Sequence, residues 1–147
     1  MEAALQPGLM ERLRYVGDHT AHGPKWVPHD VAGAEWEGFE AVRAIDDLDP
    51  EILIVPLVGH SRGHSAVAVR DGNGWLVHCG DAYFHRGALD TPPRVPPGFR
   101  AFENIVGLQR RLRLSNQERL RELIGRAEQR VRPFCAHDPI ELERCGG

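Results

Sequence analysis

Two short apolar segments, Trp75–Cys79 and Val131–Cys135, lie on either side of a stretch in which two helices are predicted, at 101–112 and 115–130. A helical crossover between two strands usually makes them parallel neighbours in one sheet, with a right-handed connection. The order strand, helix, helix, strand is therefore typical of an α/β protein. We predict that these two apolar segments are parallel strands of a single sheet.

The start of the second predicted helix carries a capping signal. Ser115 is followed at the third position by Glu118, and in such a pair each side chain satisfies a backbone N–H group of the first turn. An apolar stripe at helical spacing follows it and would pack against the sheet. We therefore predict that one helix ends at 112 and that the next begins at Ser115.

The remaining elements precede this crossover. Asp71-Gly72-Asn73-Gly74 tolerates the positive φ of a tight turn and predicts a hairpin between the apolar runs that flank it. Asp90–Gly98 contains four prolines and is expected to be a loop. The sheet is thus expected to be mixed, with helices on one face. The other predicted elements are strands at Phe39–Ile45, Ile52–Val55 and Ser65–Arg70, and a short helix at 3–16.

Length, charge and cysteine usage limit the possible classes of protein. With 147 residues, the chain is expected to form one domain, 1–147, around a buried core. A formal net charge of −3 and a pI of about 6.2 give no reason to expect nucleic acid or a membrane as partner. No apolar run approaches the roughly 20 residues of a membrane helix. Cys79, Cys135 and Cys145 are too few for a disulfide framework, so we expect a cytoplasmic protein.

Arginines are concentrated in and after the two predicted helices, and glutamates are interleaved with them. Interleaved charges of both signs are typical of a solvated helix face, which is favoured here over the alternative of a phosphate-binding patch. The arginines are Arg110, Arg111, Arg113, Arg119, Arg121, Arg126, Arg130 and Arg132, and the glutamates are Glu118, Glu122 and Glu128.

Three polar side chains, His60, Asp81 and His137, stand in separate loops that follow apolar segments. The carboxyl ends of strands in an open α/β sheet are where such sheets gather their chemistry. Two imidazoles and a carboxylate are ligands that zinc, manganese and iron accept, with positions left for water or substrate. We therefore predict that these three residues bind a divalent metal, zinc in the first place.

The sequence motifs around these residues are Gly59-His60-Ser61-Arg62-Gly63-His64-Ser65, Gly80-Asp81-Ala82 and Ala136-His137-Asp138-Pro139. Their order and spacing resemble the later motifs of the metallo-β-lactamase-fold hydrolases. The resemblance implies that His60 binds a first metal ion, that Asp81 bridges two ions, and that His137 binds the second. It also implies a structural role for His64 within the first motif.

The same family carries a His-x-His-x-Asp-His motif in the first half of its fold, and this chain has no match to it. Asp18-His19 is an Asp-His pair, but Arg14 and Val16 stand where the two preceding histidines would be. Three of the usual metal ligands and the aspartate that orients the attacking water would then be missing. The resemblance therefore implies a truncated member, equivalent to the second half of the αββα sandwich.

Further residues are weaker candidates for the site. In a complete relative, some residues before the first motif would lie between the two halves, where they could line a cleft or act as substitute ligands, although surface or packing roles are favoured. Cys79 and Cys135 precede Asp81 and His137 by two positions, but free cysteines are usually small buried hydrophobes, and we expect that here. The possible cleft residues are His19, His22, Trp26 and His29.

The expected function is that of a hydrolase-like metal protein, with at most weak hydrolysis of small ester, thioester or lactam-type substrates. Two alternatives stay open: a non-catalytic metal-binding or scaffold protein, and a subunit that needs a partner carrying the missing half. Without that half, one apolar face of the sheet would be uncovered. We therefore expect a homodimer formed through this face, with the alternative of a monomer in which the N-terminal helix folds back over the sheet.

Overall fold

The computed structural model describes residues 11, 17–25, 33–45, 52–127 and 130–146. The chain divides into two compact units, residues 1–32 and 33–147. In the first unit, Gly17–Thr20 form a short 3₁₀ helix, and the helix predicted at 3–16 lies outside the described residues except for Glu11. The single domain predicted from chain length stays a prediction. None of the described helices is long and apolar enough to cross a membrane.

The second unit is built on a six-stranded sheet. Its strands are β1 (Ala34–Trp36), β2 (Phe39–Ala44), β3 (Ile52–Pro56), β4 (Ser65–Asp71), β5 (Gly74–His78) and β6 (Val131–Phe134). They stand in chain order, and each is antiparallel to its neighbour except β5 and β6, which are parallel. Trp75 lies opposite Val131 and His78 opposite Phe134. The parallel pair and the hairpin predicted from the sequence are thereby confirmed.

Three α-helices are described in the same unit: α1 (Pro97–Val106), α2 (Arg110–Arg126) and α3 (Pro139–Gly146). The predicted helix boundaries at 112 and Ser115 are wrong, because both positions lie inside α2 and Gln109 occupies the N-cap position. The loop predicted at Asp90–Gly98 ends earlier than expected. Pro97 begins α1, where the missing N–H group of proline costs nothing.

Tertiary hydrogen bonds explain where α1 ends and α2 begins. The backbone N–H groups of Leu108 and Gln109 donate to the carbonyl oxygens of His60 at 3.2 Å and Gly59 at 2.9 Å. A continuous helix would need the same N–H groups for its own carbonyls. The contact with the His60 loop therefore decides the boundary, and it outweighs the local capping signal.

One face of the sheet is buried together with α2. In β4, Ala66 and Ala68 are fully buried, whereas Val69, which alternation places on the other face, is 39% exposed. Residues of the buried face and of α2 belong to one hydrophobic core, and the predicted mixed α/β class with helices on one face is confirmed. The core includes Val55, Ala66, Ala68, Val77 and Val131 from the sheet and Leu120 and Leu123 from α2.

Candidate metal centre

His60 lies in the connection between β3 and β4, and this loop is pressed against α2. The preceding Gly59 has a φ of +153°, and a Cβ atom there would lie 2.5 Å from the backbone nitrogen of Arg113. Only glycine allows so close an approach of the two backbones. The side chain of Asn116 also donates a hydrogen bond to the Val58 carbonyl, at 2.8 Å. Helix α2 therefore fixes the loop that carries His60.

Asp81 follows the end of β5 in a tight turn. Gly80 has a φ of +53°, and a Cβ atom at this position would lie 2.8 Å from Nε2 of His64. The Gly80 carbonyl accepts a hydrogen bond from the N–H group of Ala136 at 3.0 Å. This bond joins the loop after β5 to the loop after β6, so the two parallel strands deliver Asp81 and His137 to neighbouring positions.

Both ring nitrogens of His64 are used inside the protein. Its Nε2 accepts the backbone N–H of Asp81 at 2.9 Å, so its Nδ1 must donate to the Leu57 carbonyl, also at 2.9 Å. Burial lowers the pKa of His64, which favours the neutral imidazole that this pair of bonds requires. His64 thus connects the loop of His60 to the backbone of Asp81 and has no nitrogen left for a metal in this arrangement.

The structure brings the three predicted ligands into direct contact. Nε2 of His60 lies 3.3 Å from Oδ2 of Asp81, and Nε2 of His137 lies 2.9 Å from Oδ1 of the same carboxylate. The three side chains are 15%, 34% and 48% exposed in the order His60, Asp81, His137. The carboxylate therefore stands between two imidazoles at a partly open edge of the sheet.

Phe84 forms the inner wall of this arrangement, and the sequence analysis did not identify it. Its ring is 4% exposed and lies 5.8 Å from the ring of His60 and 4.4 Å from that of His137, measured between centroids. Phe102, which is 52% exposed, lies 5.5 Å further out. An apolar wall beside two imidazoles limits the access of water from that side. No periodic signal marks an aromatic residue in a loop, so only the fold reveals it.

Two buried polar residues of the helices hold the loop that follows Asp81. Glu103 accepts the backbone N–H of Phe84 at 3.0 Å, and the amide of Gln117 donates to the Ala82 carbonyl at 2.9 Å. Glu103 is also paired with the guanidinium of Arg113, and both side chains are almost fully buried. A buried carboxylate needs such a partner to remain charged. Helices α1 and α2 therefore support the loop of Asp81 as well as that of His60.

A second carboxylate fixes the loop of His137. Asp138 is 5% exposed and accepts hydrogen bonds from the backbone N–H of Arg86 at 2.8 Å and from its guanidinium at 3.0 Å. Burial opposes the charge of Asp138, but the bonds from Arg86 and from the N–H of Ile140 hold the pKa of this carboxyl below its usual range. Asp138 thereby ties the loop after β6 to the segment that follows Asp81.

Comparison with known proteins finds two relatives of this chain. Two curated relatives, probable metallo-hydrolases of Mycobacterium bovis and Mycobacterium tuberculosis, are each 45% identical to this chain over 133 residues, 90% of its length. This chain is a relative of metallo-hydrolases. The family resemblance predicted from the three motifs is therefore confirmed. The chain spans 43% of the length of these relatives.

Other comparisons are more distant. An N-acyl homoserine lactone hydrolase with N-hexanoyl-L-homoserine at its catalytic metal centre is 23% identical, with a TM-score of 0.47, over 67% of this chain and 34% of that one. A B. thuringiensis protein with N-decanoyl-L-homoserine bound at its active site gives the same values. No protein-family model matches the chain.

The donor set of this metallo-hydrolase relative fits a divalent metal, although the donors now contact one another. Within the described ranges, no three His, Cys, Asp or Glu side chains surround a space that would hold an ion. At the predicted site, Nε2 of His137 is hydrogen-bonded to Asp81, and Nε2 of His60 lies 3.3 Å from the same carboxylate. Each imidazole meets a different oxygen of the carboxylate, so His60, Asp81 and His137 together offer borderline nitrogen and hard oxygen donors. Their role as metal ligands stays a prediction.

A different group of ionisable side chains lies beneath this site, and we name it the inner cluster: Cys79, Tyr83, Cys135 and Glu141. Both cysteines are buried, as expected from the sequence. Burial raises the pKa of Cys135 to about 12 and that of Cys79 further. Thiols of this kind stay protonated, so they are poor metal ligands at neutral pH.

Glu141 is the carboxylate of the inner cluster. It accepts hydrogen bonds from the hydroxyl of Tyr83 at 3.1 Å and from the backbone N–H of Cys135 at 2.9 Å. Burial raises the pKa of Glu141 above its ordinary value, and these bonds only partly oppose the shift. The cluster therefore joins α3 to the loops of the site as a packed, hydrogen-bonded unit.

The weaker candidates of the sequence analysis belong to residues 1–32. His19 lies in the 3₁₀ helix Gly17–Thr20 and His22 is an exposed residue after it. Trp26 and His29 lie outside the described residues. A cleft or ligand role for these four residues stays a prediction.

Proposed function

We propose that this chain carries part of the active site of a metal-dependent hydrolase, in which His60, Asp81 and His137 hold a divalent ion. One observation carries the proposal: Asp81 presents one oxygen to each of two Nε2 atoms that come from different loops. Zinc is the first choice, and manganese or iron would accept the same donors. The expected substrates are small molecules with an ester, thioester or lactam-type carbonyl.

A bound divalent metal supplies a Lewis acid that polarises a carbonyl group and acidifies water. Three residues of the chain would shape the site for this metal. Asp81 brings the negative charge, His64 fixes the backbone of Asp81, and Phe84 keeps water from one side of the imidazoles. Donors that are fixed in advance lose little freedom when they bind, which favours affinity.

A second candidate is a metal-binding protein without turnover, alone or as a subunit beside a partner that carries the remaining ligands. The chain contains no His-x-His-x-Asp-His sequence, and it spans 43% of the length of its relatives. The aspartate that would orient the attacking water therefore has no counterpart in its sequence motifs. We expect at most slow hydrolysis of activated substrates by this chain alone.

Metal content tests the proposal directly. The protein, purified without chelator, is compared with Asp81→Asn and with Asp90→Asn, an exposed aspartate that serves as control. Elemental analysis should find metal in the wild type and in Asp90→Asn, and little in Asp81→Asn. Equal metal in all three proteins would place the ion elsewhere. Hydrolysis of an activated ester is then measured for the wild type and for His137→Ala. Turnover that is lost in the variant indicates a hydrolase, and the absence of turnover in the wild type indicates a metal-binding protein without activity.

The association state and compartment of the chain are further parts of the proposal. The sheet face opposite α2 carries the half-buried Ile54, Val67 and Leu76 beside the exposed Val69, and pairing of two copies would cover this face. A monomer in sedimentation equilibrium at roughly tens of micromolar would contradict the homodimer. The three free cysteines favour a reducing compartment such as the cytoplasm.

A further inference from the structure

A cleft of about 530 Å³ lies between α1, α2 and the segment 88–95, and its lining contains none of His60, Asp81 and His137. Cavities of roughly 300–1,000 Å³ are the usual size of small-molecule sites. We name it the arginine cleft, because five arginines contribute to its lining. They are Arg100, Arg110, Arg111, Arg113 and Arg121.

The cleft has an excess of positive charge that the described residues do not neutralise. Glu103 is already paired with Arg113, which leaves Glu118 as the other acidic residue of the lining. The side chains of Arg100 and Arg111 form no hydrogen bond or ion pair with another described residue. Guanidinium groups collected in a concave site match the charge and the planar hydrogen-bonding geometry of phosphate and carboxylate groups.

The position of two of these arginines is unfavourable without an anion. Arg110 and Arg111 are the first two residues of α2, and its first turn contains no acidic residue. The N-terminal end of a helix carries a partial positive charge, so cations there lower the stability of the helix. An anion in the cleft would reverse this effect, because it would meet the helix end and the arginines together.

The uncharged part of the lining includes four apolar residues, Ala88, Pro93, Val95 and Leu114, and three polar ones, Asn104, Ser115 and Gln117. A ligand that fills the cleft should therefore combine an anionic group with a small apolar body. We propose that the arginine cleft binds a small organic phosphate, with the phosphate near Arg100 and Arg111 and the apolar part against Val95 and Leu114. This site uses none of the proposed metal ligands, so it does not depend on the proposed function.

Isothermal titration calorimetry with phenyl phosphate tests the inference, in the presence of a chelator so that a metal ion cannot bind the phosphate. The wild type should bind phenyl phosphate and should not bind phenol. In the double variant Arg100→Gln/Arg111→Gln, affinity should fall about tenfold or more, since each lost charge-assisted hydrogen bond weakens binding. Arg144→Gln, an exposed arginine of α3, removes one charge elsewhere and should bind as the wild type does.

Benzoate and inorganic phosphate separate the two parts of the ligand. If inorganic phosphate binds more weakly than phenyl phosphate, the ring contributes to binding through apolar contacts. If benzoate binds more weakly than phenyl phosphate, the site prefers a phosphate group to a carboxylate. Both arginines are exposed, so the double variant should fold, and phenyl phosphate should raise the melting temperature of the wild type more than that of the variant. Equal affinity of wild type and double variant, or no binding by the wild type at concentrations on the order of 1 mM, would overturn the inference.

Discussion

Two clusters of ionisable side chains lie next to each other in this fold and behave differently. The outer cluster consists of His60, Asp81 and His137, whose side chains are 15% to 48% exposed. In the inner cluster, Tyr83 and Cys79 are 0% exposed, Cys135 is 3% and Glu141 is 8%. The chain alternates between them, since Cys79 and Tyr83 stand two positions before and after Asp81. The turn at Gly80, with its positive φ, therefore separates Asp81 from Cys79 and leaves one in the open group and the other in the closed group.

The carboxylates of Asp81 and Glu141 show how the surroundings differ between the two clusters. The carboxylate of Asp81 contacts the side chains of His60 and His137 at a partly open edge of the sheet, whereas Glu141 is held by a backbone N–H and a buried hydroxyl. A ligand can replace the first kind of partner at little cost, but replacing the second kind requires the core to open. We infer that the outer cluster serves binding and that the inner cluster serves stability. Mutations in the inner cluster should therefore lower the free energy of unfolding, measured with chelator present, more than mutations in the outer cluster do.

The largest loss of stability is expected for Tyr83→Ala in the inner cluster. Removing a fully buried aromatic ring costs about 3–5 kcal/mol, because contacts are lost and a cavity remains. Urea unfolding followed by circular dichroism measures it. Tyr83→Phe is the matched control, since it keeps the ring and loses only the hydrogen bond to Glu141, for about 1.5–3 kcal/mol. A loss below about 1 kcal/mol for Tyr83→Ala would mean that the inner cluster contributes little to stability.

A smaller loss is expected for Asp138→Ala, at the border between the clusters. The change leaves the backbone N–H of Arg86 and that of Ile140 without their acceptor, at a cost of about 1–3 kcal/mol. The lower end of this range is favoured because the Arg86 side chain is 38% exposed and can be rehydrated. Asp138→Asn keeps an acceptor and should recover part of the loss in the same unfolding measurement. No difference between the two variants would exclude the hydrogen bonds as the cause.

The sequence predicted the outer cluster because its residues follow strands, and the topology of the sheet then dictates where they meet. Asp81 and His137 extend from the parallel pair β5 and β6, so their proximity follows from the crossover alone. The metal they are expected to bind stays a prediction. The inner cluster was harder to predict. Cys79 and Cys135 were expected to be buried. The role of Glu141, however, depends on the packing of α3 against the sheet, which no local sequence pattern predicts.

The residues that hold the loop of Asp81 in place were also not predictable from local sequence patterns. Phe84, Glu103 and Arg113 meet because the loop after β5 runs beneath two helices, and their partners are distant in sequence. The wrong helix boundary has a related origin. Ser115 is a sound local cap, but backbone donors before Arg110 bind the carbonyls of the His60 loop instead. Local signals thus specified the strands and failed where tertiary hydrogen bonds compete with them.

A still smaller effect is expected for Glu141→Gln, and it should depend on pH. The pKa of Glu141 is raised in the folded protein, so the folded state binds its proton more tightly than the unfolded state does. Stability contributed by this group is therefore present at low pH and lost as pH rises from the ordinary glutamate pKa to the raised one. Neighbouring Tyr83 and Cys135 stay protonated in this range, and nearby Asp138 stays charged.

Unfolding of wild type and Glu141→Gln at about pH 5 and about pH 7 gives the comparison. The wild type should lose more stability over this interval than the variant, whose amide has no proton to release. A variant with the same pH dependence as the wild type would show that Glu141 titrates normally.

The smallest change in stability is expected for Asp81→Asn, although its effect on metal binding should be the most severe. The side chain is 34% exposed, and the amide of asparagine still offers an oxygen acceptor to the neighbouring imidazoles. The free energy of unfolding should therefore change by no more than about 0.5 kcal/mol in the presence of chelator. In its absence, added zinc should stabilise the wild type and leave the variant unchanged, because an ion that binds only the folded state raises its stability. If Asp81→Asn instead costs as much as Tyr83→Ala, the outer cluster is a structural network like the inner one. Such a result would contradict the proposal that Asp81, between His60 and His137, is a metal ligand.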